Sequence, residues 1–325
     1  MLAGDIYSPR QIRLIEVPEP TFPDGESDAA GQIVLQPELG CLCGSDVLYF
    51  DRTFPDFQPV VGHSLHELIG TIVETTGQRF RSGDRVLCVP NNQKGLCQRF
   101  VVSETQAIAL DERATDEQAV LAQPLGTVIC ALRKLPSLLD ADVAVVGQGP
   151  IGQLFCAALR TVGARRIIAI DRLAARLQHS PHMGATDVID SSVQDPIEAI
   201  TDLTAGALPD VVVEAVGHRD QAFNLCIELC RPGGRILAFG LTEMILDGLC
   251  WGRLHRKNLC VQTSIKPSFD RDFPLAMQWI GEGRIDVTPL ITNRFGVSDI
   301  QLAFETFSQR RDGALKVFVD FEGVS

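Results

Sequence analysis

Positive charge is scarce in this 325-residue chain: 29 Lys and Arg stand against 41 Asp and Glu, a formal net charge of −12. Nucleic acids and anionic membranes call for basic patches, so neither is an expected partner. No apolar run reaches the about eighteen residues that a membrane span requires. The opening Met1-Leu-Ala-Gly-Asp5 lacks the charged and apolar stretches of a secretory leader. The expected protein is soluble and cytoplasmic. Internal repeats at solenoid periods and low-complexity segments are also missing. So is paired cysteine spacing. The ten cysteines are scattered, mostly in apolar stretches such as Phe155-Cys156-Ala157 and Leu229-Cys230. That pattern reads as reduced small hydrophobes rather than a disulfide framework. Cys41 and Cys43 fall outside it. What is present is 45% hydrophobic content, enough to bury a large core and to build two domains.

Two rhythms divide the chain. Through roughly the first 120 residues, short segments broken by Pro and Gly predict strands of an antiparallel or barrel-like region: Ile12 to Val17, Gln32 to Pro37, Ile69 to Glu74, Arg85 to Val89 and Gln98 to Val102. From Pro124 to about Lys266, strands alternate with helical patterns. The strands are expected around Val143 and Ile167 and over Asp187 to Asp190, Asp210 to Glu214, Gly234 to Gly240 and Leu259 to Ile265. Six strands in such alternation make a doubly wound parallel sheet, hence an α/β fold. The remainder predicts helix, strand, helix and a closing strand, Ala314 to Asp320.

Within the second region, Val143 to Val146 is a β-branched run that leads into Gly147-Gln-Gly149-Pro150-Ile151-Gly152. Gly147 permits the sharp turn after the strand. Gly149, without a Cβ, lets a pyrophosphate approach the unpaired N–H groups at the start of the helix near Pro150 and Ile151, and Gly152 lets that helix pack close. Nineteen residues after Gly152, Asp171 ends the next strand. A carboxylate there accepts from the adenosine ribose hydroxyls and repels a 2′-phosphate, which favours NAD over NADP. Asp171 also fits a helix cap, and the adjacent Arg172 can tolerate a phosphate.

In the first region, Gly40-Cys41-Leu-Cys43-Gly-Ser45-Asp46 offers a thiolate in a turn, and His66-Glu67 follows twenty-three residues later. Thiolate and imidazole are preferred zinc donors, and a catalytic site needs three protein groups. Alone, this pair reads as a buried cysteine and a hydrogen-bonded histidine rather than as a metal site.

The motifs in series are Ile12 to Pro20, Cys43-Gly-Ser-Asp46, His66-Glu-Leu-Ile-Gly70, Gly83-Asp-Arg-Val86, Gln123-Pro-Leu125, the glycine turn, Arg231-Pro-Gly-Gly-Arg235 and Ile285 to Phe295. Together, over nearly the whole chain, they resemble the zinc-containing medium-chain alcohol and polyol dehydrogenases, in particular the sorbitol, threonine and glucose dehydrogenase branch. The resemblance implies a Rossmann NAD-binding domain over 124–266. It also implies a mostly β, GroES-like catalytic domain made from 1–123 and 267–325, with zinc facing nicotinamide in the cleft between. By the same resemblance Cys43 and His66 are zinc ligands, and Glu67 is either the third ligand or a carboxylate close behind. Ser45 takes the substrate's proton, Asp46 orients His66 or its neighbours, and Thr127 lies near the nicotinamide. The implied substrate is a small alcohol or carbonyl compound, and the implied assembly is a homodimer or homotetramer joined through Leu259 to Ile265.

Three positions depart from the family pattern. Gln123 stands where an acidic ligand is usual, so a Cys43/His66/Gln123 set is less anionic unless Glu67 binds directly. Leu48 replaces a relay histidine, leaving proton exit to water, His63 or Tyr49. Only Cys88 and Cys97 remain where a four-cysteine lobe is common, so one catalytic zinc and no structural zinc are expected. His63, in Gly62-His63-Ser64, imitates the ligand motif, but the spacing to Gly70 favours His66. The remaining histidines, 179, 182, 218 and 255, read as surface or structural, and Cys41 as packed inward or an alternative ligand. Loops Tyr49 to Phe57, Val89 to Gln93 and Leu241 to Trp251 are expected to shape the substrate pocket. Gln123 and Leu48 also fit a zinc-free quinone or enone reductase, and a decayed site fits a nucleotide sensor.

Overall fold

The computed structural model describes residues 1–22, 31–52, 58–217, 220–241 and 245–321. His218 and parts of two expected pocket loops, 53–57 and 242–244, lie outside them. Along the chain come β1 (Leu2–Ser8), β2 (Gln11–Glu16), β3 (Gln32–Cys41), α1 (Gly44–Asp51), β4 (Glu67–Thr75), β5 (Arg85–Cys88), β6 (Phe100–Ser103), β7 (Ala107–Ala109), α2 (Asp116–Val120) and α3 (Ala122–Leu132). Strands and helices then alternate: β8 (Asp142–Val146), α4 (Pro150–Thr161), β9 (Arg166–Asp171), α5 (Ala174–Leu177), β10 (Asp187–Asp190), α6 (Pro196–Leu203), β11 (Val211–Glu214), α7 (Asp220–Leu229), β12 (Arg235–Ala238), α8 (Trp251–Arg256) and β13 (Cys260–Thr263). The chain closes with α9 (Asp272–Gly281), β14 (Ile291–Gly296), α10 (Ile300–Gln309) and β15 (Lys316–Asp320).

These elements form two compact units. One comprises Met1–Gln123, Phe269–Glu282 and Leu290–Ser325, and the other Pro124–Ser268 and Gly283–Pro289. In the second, six strands pair in parallel in the order β10-β9-β8-β11-β12-β13. This is the order of a complete doubly wound sheet. All five residues of β8, Asp-Val-Ala-Val-Val, are buried, as a strand covered by helices on both faces must be. Ile168, Ile170, Val212 and Ile236 from the sheet pack with Phe223 and Ile227 of α7. Each such side chain contributes about 1.5–3 kcal/mol on burial. At one edge β13 pairs only with β12, and Cys260, Val261 and Thr263 are exposed.

In the first unit, seven strands run in the order β14-β15-β3-β4-β5-β7, with β6 also on β3 and a separate β1-β2 hairpin. All pairs are antiparallel except β14 with β15. Two strands escape the sequence pattern. In Leu2–Ser8, Gly4 and Asp5 interrupt the alternation, and the three residues of β7 are too few to carry a period. Register matters most at one end of the sheet. Cys41 on β3 lies opposite both Glu67, the first residue of β4, and Phe318 of β15. Extending the β15 register by two residues brings Lys316 opposite the Cys43 turn. Among the described residues no helix is long and apolar enough to cross a membrane.

Candidate active site

Cys43 leaves β3 as the N-cap of α1, with extended backbone (φ −129°, ψ 175°). The Asp46 carboxylate holds the turn by accepting from Cys43 N at 2.7 Å. Its other oxygen accepts from Ser64 Oγ at 2.5 Å and Leu65 N at 3.0 Å. Ser64 and Leu65 both have positive φ, 101° and 56°. A side chain resists this conformation, so these bonds hold strained backbone directly ahead of His66. Fully buried Asp46 therefore acts on the two loops that carry Cys43 and His66, reaching His66 through its predecessors.

The outcome is convergence. One donor atom each from Cys43, His66 and Glu67 lie within 4.8 Å of one another, and Cys43 Sγ is 3.7 Å from both ring nitrogens of His66. Tetrahedral donors about 2.0–2.3 Å from a zinc ion stand about 3.3–3.8 Å apart, a spacing that Cys43 and His66 already have and that Glu67 approaches. Among the described residues these form the one cluster of three or more such side chains. Burial, followed by the Asp46 and Glu67 carboxylates, holds the Cys43 thiol well above its ordinary range. A thiolate there needs additional positive charge, which a bound cation would supply.

Part of that charge comes from a residue the sequence pattern conceals. Lys316, 1% exposed, forms an ion pair and hydrogen bond with Glu67 Oε2 and lies 3.5 Å from the Leu42 carbonyl oxygen. Burial opposes its charge, but Glu67 and the two neighbouring thiols raise its pKa overall. Burial pushes Glu67 up while Lys316 pulls it back. Nothing in Lys316-Val-Phe-Val-Asp320 distinguishes it from a lysine at a strand end.

The other named residues sort by position. Ser45 Oγ lies 2.9 Å from Cys43 Sγ. Gln123 is buried near the start of α3, and Thr127, one turn further on, donates to the Pro124 carbonyl oxygen at 2.7 Å. His63 is buried apart from the converging group; its Nδ1 accepts from Val60 N at 2.9 Å and its ring is 5.2 Å from that of Tyr49. Cys41 is buried too, with Sγ 3.7 Å from the Leu42 carbonyl oxygen. His179 is half-buried, and His182 and His255 are exposed.

The dinucleotide turn is complete within the second unit. Gly147 takes φ +95°, Gly149 is the N-cap of α4, and Pro150 occupies its first turn. A Cβ on Gly152 would stand 1.8 Å from Gly147 O, so only glycine allows this approach of helix to turn. Asp171 Oδ2 accepts from Gln148 N at 2.7 Å and Oδ1 from Leu173 N at 2.9 Å. The carboxylate thereby ties the end of β9 to the turn while retaining lone pairs. Arg172 is exposed. The cation beside the turn is instead Arg176, with Nη1 3.9 Å from Asp171 and 3.5 Å from where a Cβ on Gly149 would stand. The open cradle fits a pyrophosphate, and the carboxylate fits a ribose.

A donor set suited to zinc and a complete dinucleotide cradle in one chain define a metal- and nucleotide-dependent oxidoreductase. Residues 29–125 match the alcohol dehydrogenase GroES-like domain and residues 150–282 the zinc-binding dehydrogenase domain. The chain is 27% identical to an L-threonine 3-dehydrogenase of Photorhabdus laumondii, over 96% of both chains. It is 25% identical to the sorbitol dehydrogenase of Ovis aries, over 97% of this chain and 94% of that one. Its fold superimposes on an alcohol dehydrogenase from Thermus sp. ATN1 with a TM-score of 0.87, at 22% identity, over 99% of this chain and 100% of the other. The chain belongs to the zinc-containing medium-chain alcohol and polyol dehydrogenase family.

Proposed function

We propose that the protein oxidises a secondary alcohol, polyol or sugar-like substrate with NAD, using one zinc ion held by Cys43, His66 and Glu67. The convergence of those three side chains within 4.8 Å carries this reading. Glu67 is preferred to Gln123 as third ligand because a carboxylate adds a second anionic donor. Lys316 occupies only Glu67 Oε2, leaving the other oxygen available. Zinc in such a site supplies Lewis-acid polarisation of the substrate oxygen.

The chain's own groups do the rest. Ser45 Oγ, beside Cys43 Sγ, accepts the hydroxyl proton and passes it to water, since Leu48 cannot carry it. NAD held at the glycine turn would supply the acceptor for the carbinol hydride, so that alcohol and NAD+ would become carbonyl compound and NADH with the proton left to Ser45; position and charge are the protein's contribution. Asp46 holds the Cys43 and His66 loops in place. The glycine turn seats the pyrophosphate and Asp171 the adenosine ribose. The exposed edge of β13 is suited to pairing with a second copy in a homodimer or homotetramer. The ten free cysteines, six of them buried, fit a reducing cytoplasm.

Elemental mass spectrometry on protein purified without added zinc or chelator is expected to find about one zinc per chain. Cys43→Ala should abolish turnover on alcohols while leaving NAD affinity nearly unchanged. Turnover that survives chelation or Cys43→Ala would refute the zinc mechanism and favour a zinc-free reductase.

A further inference from the structure

Glu214 ends β11, is 1% exposed, and lies in register between Val146 of β8 and Ala238 of β12. Its carbonyl oxygen accepts from the backbone of Phe239 and Gly240, at 3.1 and 3.0 Å. Its Oε1 accepts from Val216 N at 2.8 Å and Gly217 N at 2.9 Å. Among the described residues Oε2 has no hydrogen-bond partner. It lies against Gly240, where a Cβ would stand 2.6 Å away. A buried carboxylate without a cation costs several kcal/mol, and a neutral amide or hydroxyl would cap the same two N–H groups without that cost. The described residues alone therefore do not account for a carboxylate here.

Its position does. The strand order reverses between β8 and β11, and a dinucleotide lies across that break at the carboxyl ends of the strands. Asp171, at the end of β9, is suited to the adenosine half on one side, so a bound nicotinamide half would lie over the exits of β11 and β12. The turn held by Glu214 also abuts the glycine turn: a Cβ on Gly147 would stand 2.8 Å from Val216 Cγ2 and 3.0 Å from the Ala215 carbonyl. We infer that Glu214 is an electrostatic positioning residue for the nicotinamide half of the cofactor. As an anion with no ion-pair partner among the described residues, its carboxylate favours the cationic ring of NAD+ over the neutral ring of NADH, and so favours alcohol oxidation. The inference rests on the NAD reading above.

The test is calorimetric binding of NAD+, NADH and ADP-ribose to the full chain and to Glu214→Gln, which keeps the Oε1 acceptor and removes the charge. For charges ~10 Å apart at a protein-like dielectric, the variant should bind NAD+ about tenfold more weakly, with NADH and ADP-ribose within about twofold of wild type. Equal weakening of all three ligands, or of none, would overturn the inference and leave Glu214 a support for the turn. Glu214→Ser, also neutral and able to accept from the turn, serves if the glutamine variant does not fold. Failure of both to fold would assign the carboxylate to stability and overturn the inference. Wild-type protein that binds neither NAD+ nor NADH would instead refute the cofactor reading on which it rests.

Discussion

Replacing Lys316 by Met probes the least visible part of the metal site. Methionine preserves the buried stem and removes the ammonium, so the substitution deletes charge with little change in packing. Glu67 then remains as a carboxylate 2% exposed, its counter-charge among the described residues reduced to the neighbouring His66. Breaking a buried pair on one side costs about 3–5 kcal/mol, most of it the desolvation of the stranded partner. For a folding unit of 150–250 residues, each kcal/mol lowers Tm by about 2–4 °C, so metal-free Lys316→Met should melt roughly 6–20 °C below wild type. The double variant Lys316→Met/Glu67→Gln strands no charge and should recover at least about half of the loss. Zinc supplies the missing positive charge if Glu67 takes part in binding it, so metal should raise the Tm of Lys316→Met by more than it raises that of wild type. Thermal melts by circular dichroism, with chelator and with zinc, test all three statements. A single variant within about 1–2 °C of wild type, or a double variant no more stable than the single, would refute the electrostatic account.

Gly152→Ala should weaken NAD binding about five- to 150-fold, because relieving the contact of the new Cβ with Gly147 O opens the turn at a cost of about 1–3 kcal/mol; a nucleotide titration within twofold of wild type would contradict the close approach of α4 to the turn. Asp46→Asn puts an amide where three donors now converge and should lower zinc affinity about ten- to a hundredfold in a chelator competition. Unchanged metal affinity would make Asp46 irrelevant to the site. Burial and then Lys94 lower the pKa of His63 below its ordinary 6.5. The unfolded chain therefore takes up this proton first on acidification, so the contribution is full above pH 6.5 and stability is lost as the pH falls below it. His63→Gln should flatten the fall in Tm between about pH 7 and 5.5, and an unaltered slope would exclude His63 as its source.

How much of the molecule is legible depends on how local each signal is. The central parallel strands β8, β9 and β11 can be read because two-sided burial demands apolar, largely β-branched runs, and the glycine turn because each glycine meets a steric demand set by its immediate neighbours. Cys43 and His66 can be named, but their meeting rests on β3, β4 and the strained backbone at Ser64 and Leu65. Asp46 reaches that backbone across 18 and 19 residues. Proximity in sequence points to Arg172, whereas the turn of α5 after β9 brings the guanidinium of Arg176 to Gly149. Glu214 looks like an ordinary strand end until its second oxygen is found without a partner among the described residues.

The sequence by itself determined the α/β rhythm, the dinucleotide cradle and the donor types of the metal site, because each follows from backbone sterics or side-chain chemistry over a few residues. Tertiary structure alone decided that Lys316 faces Glu67 across 249 residues. The same is true, among the described residues, of which carboxylates are buried with a counter-charge and which without. The charge of a buried group depends on what surrounds it in space, and strand register sets those surroundings.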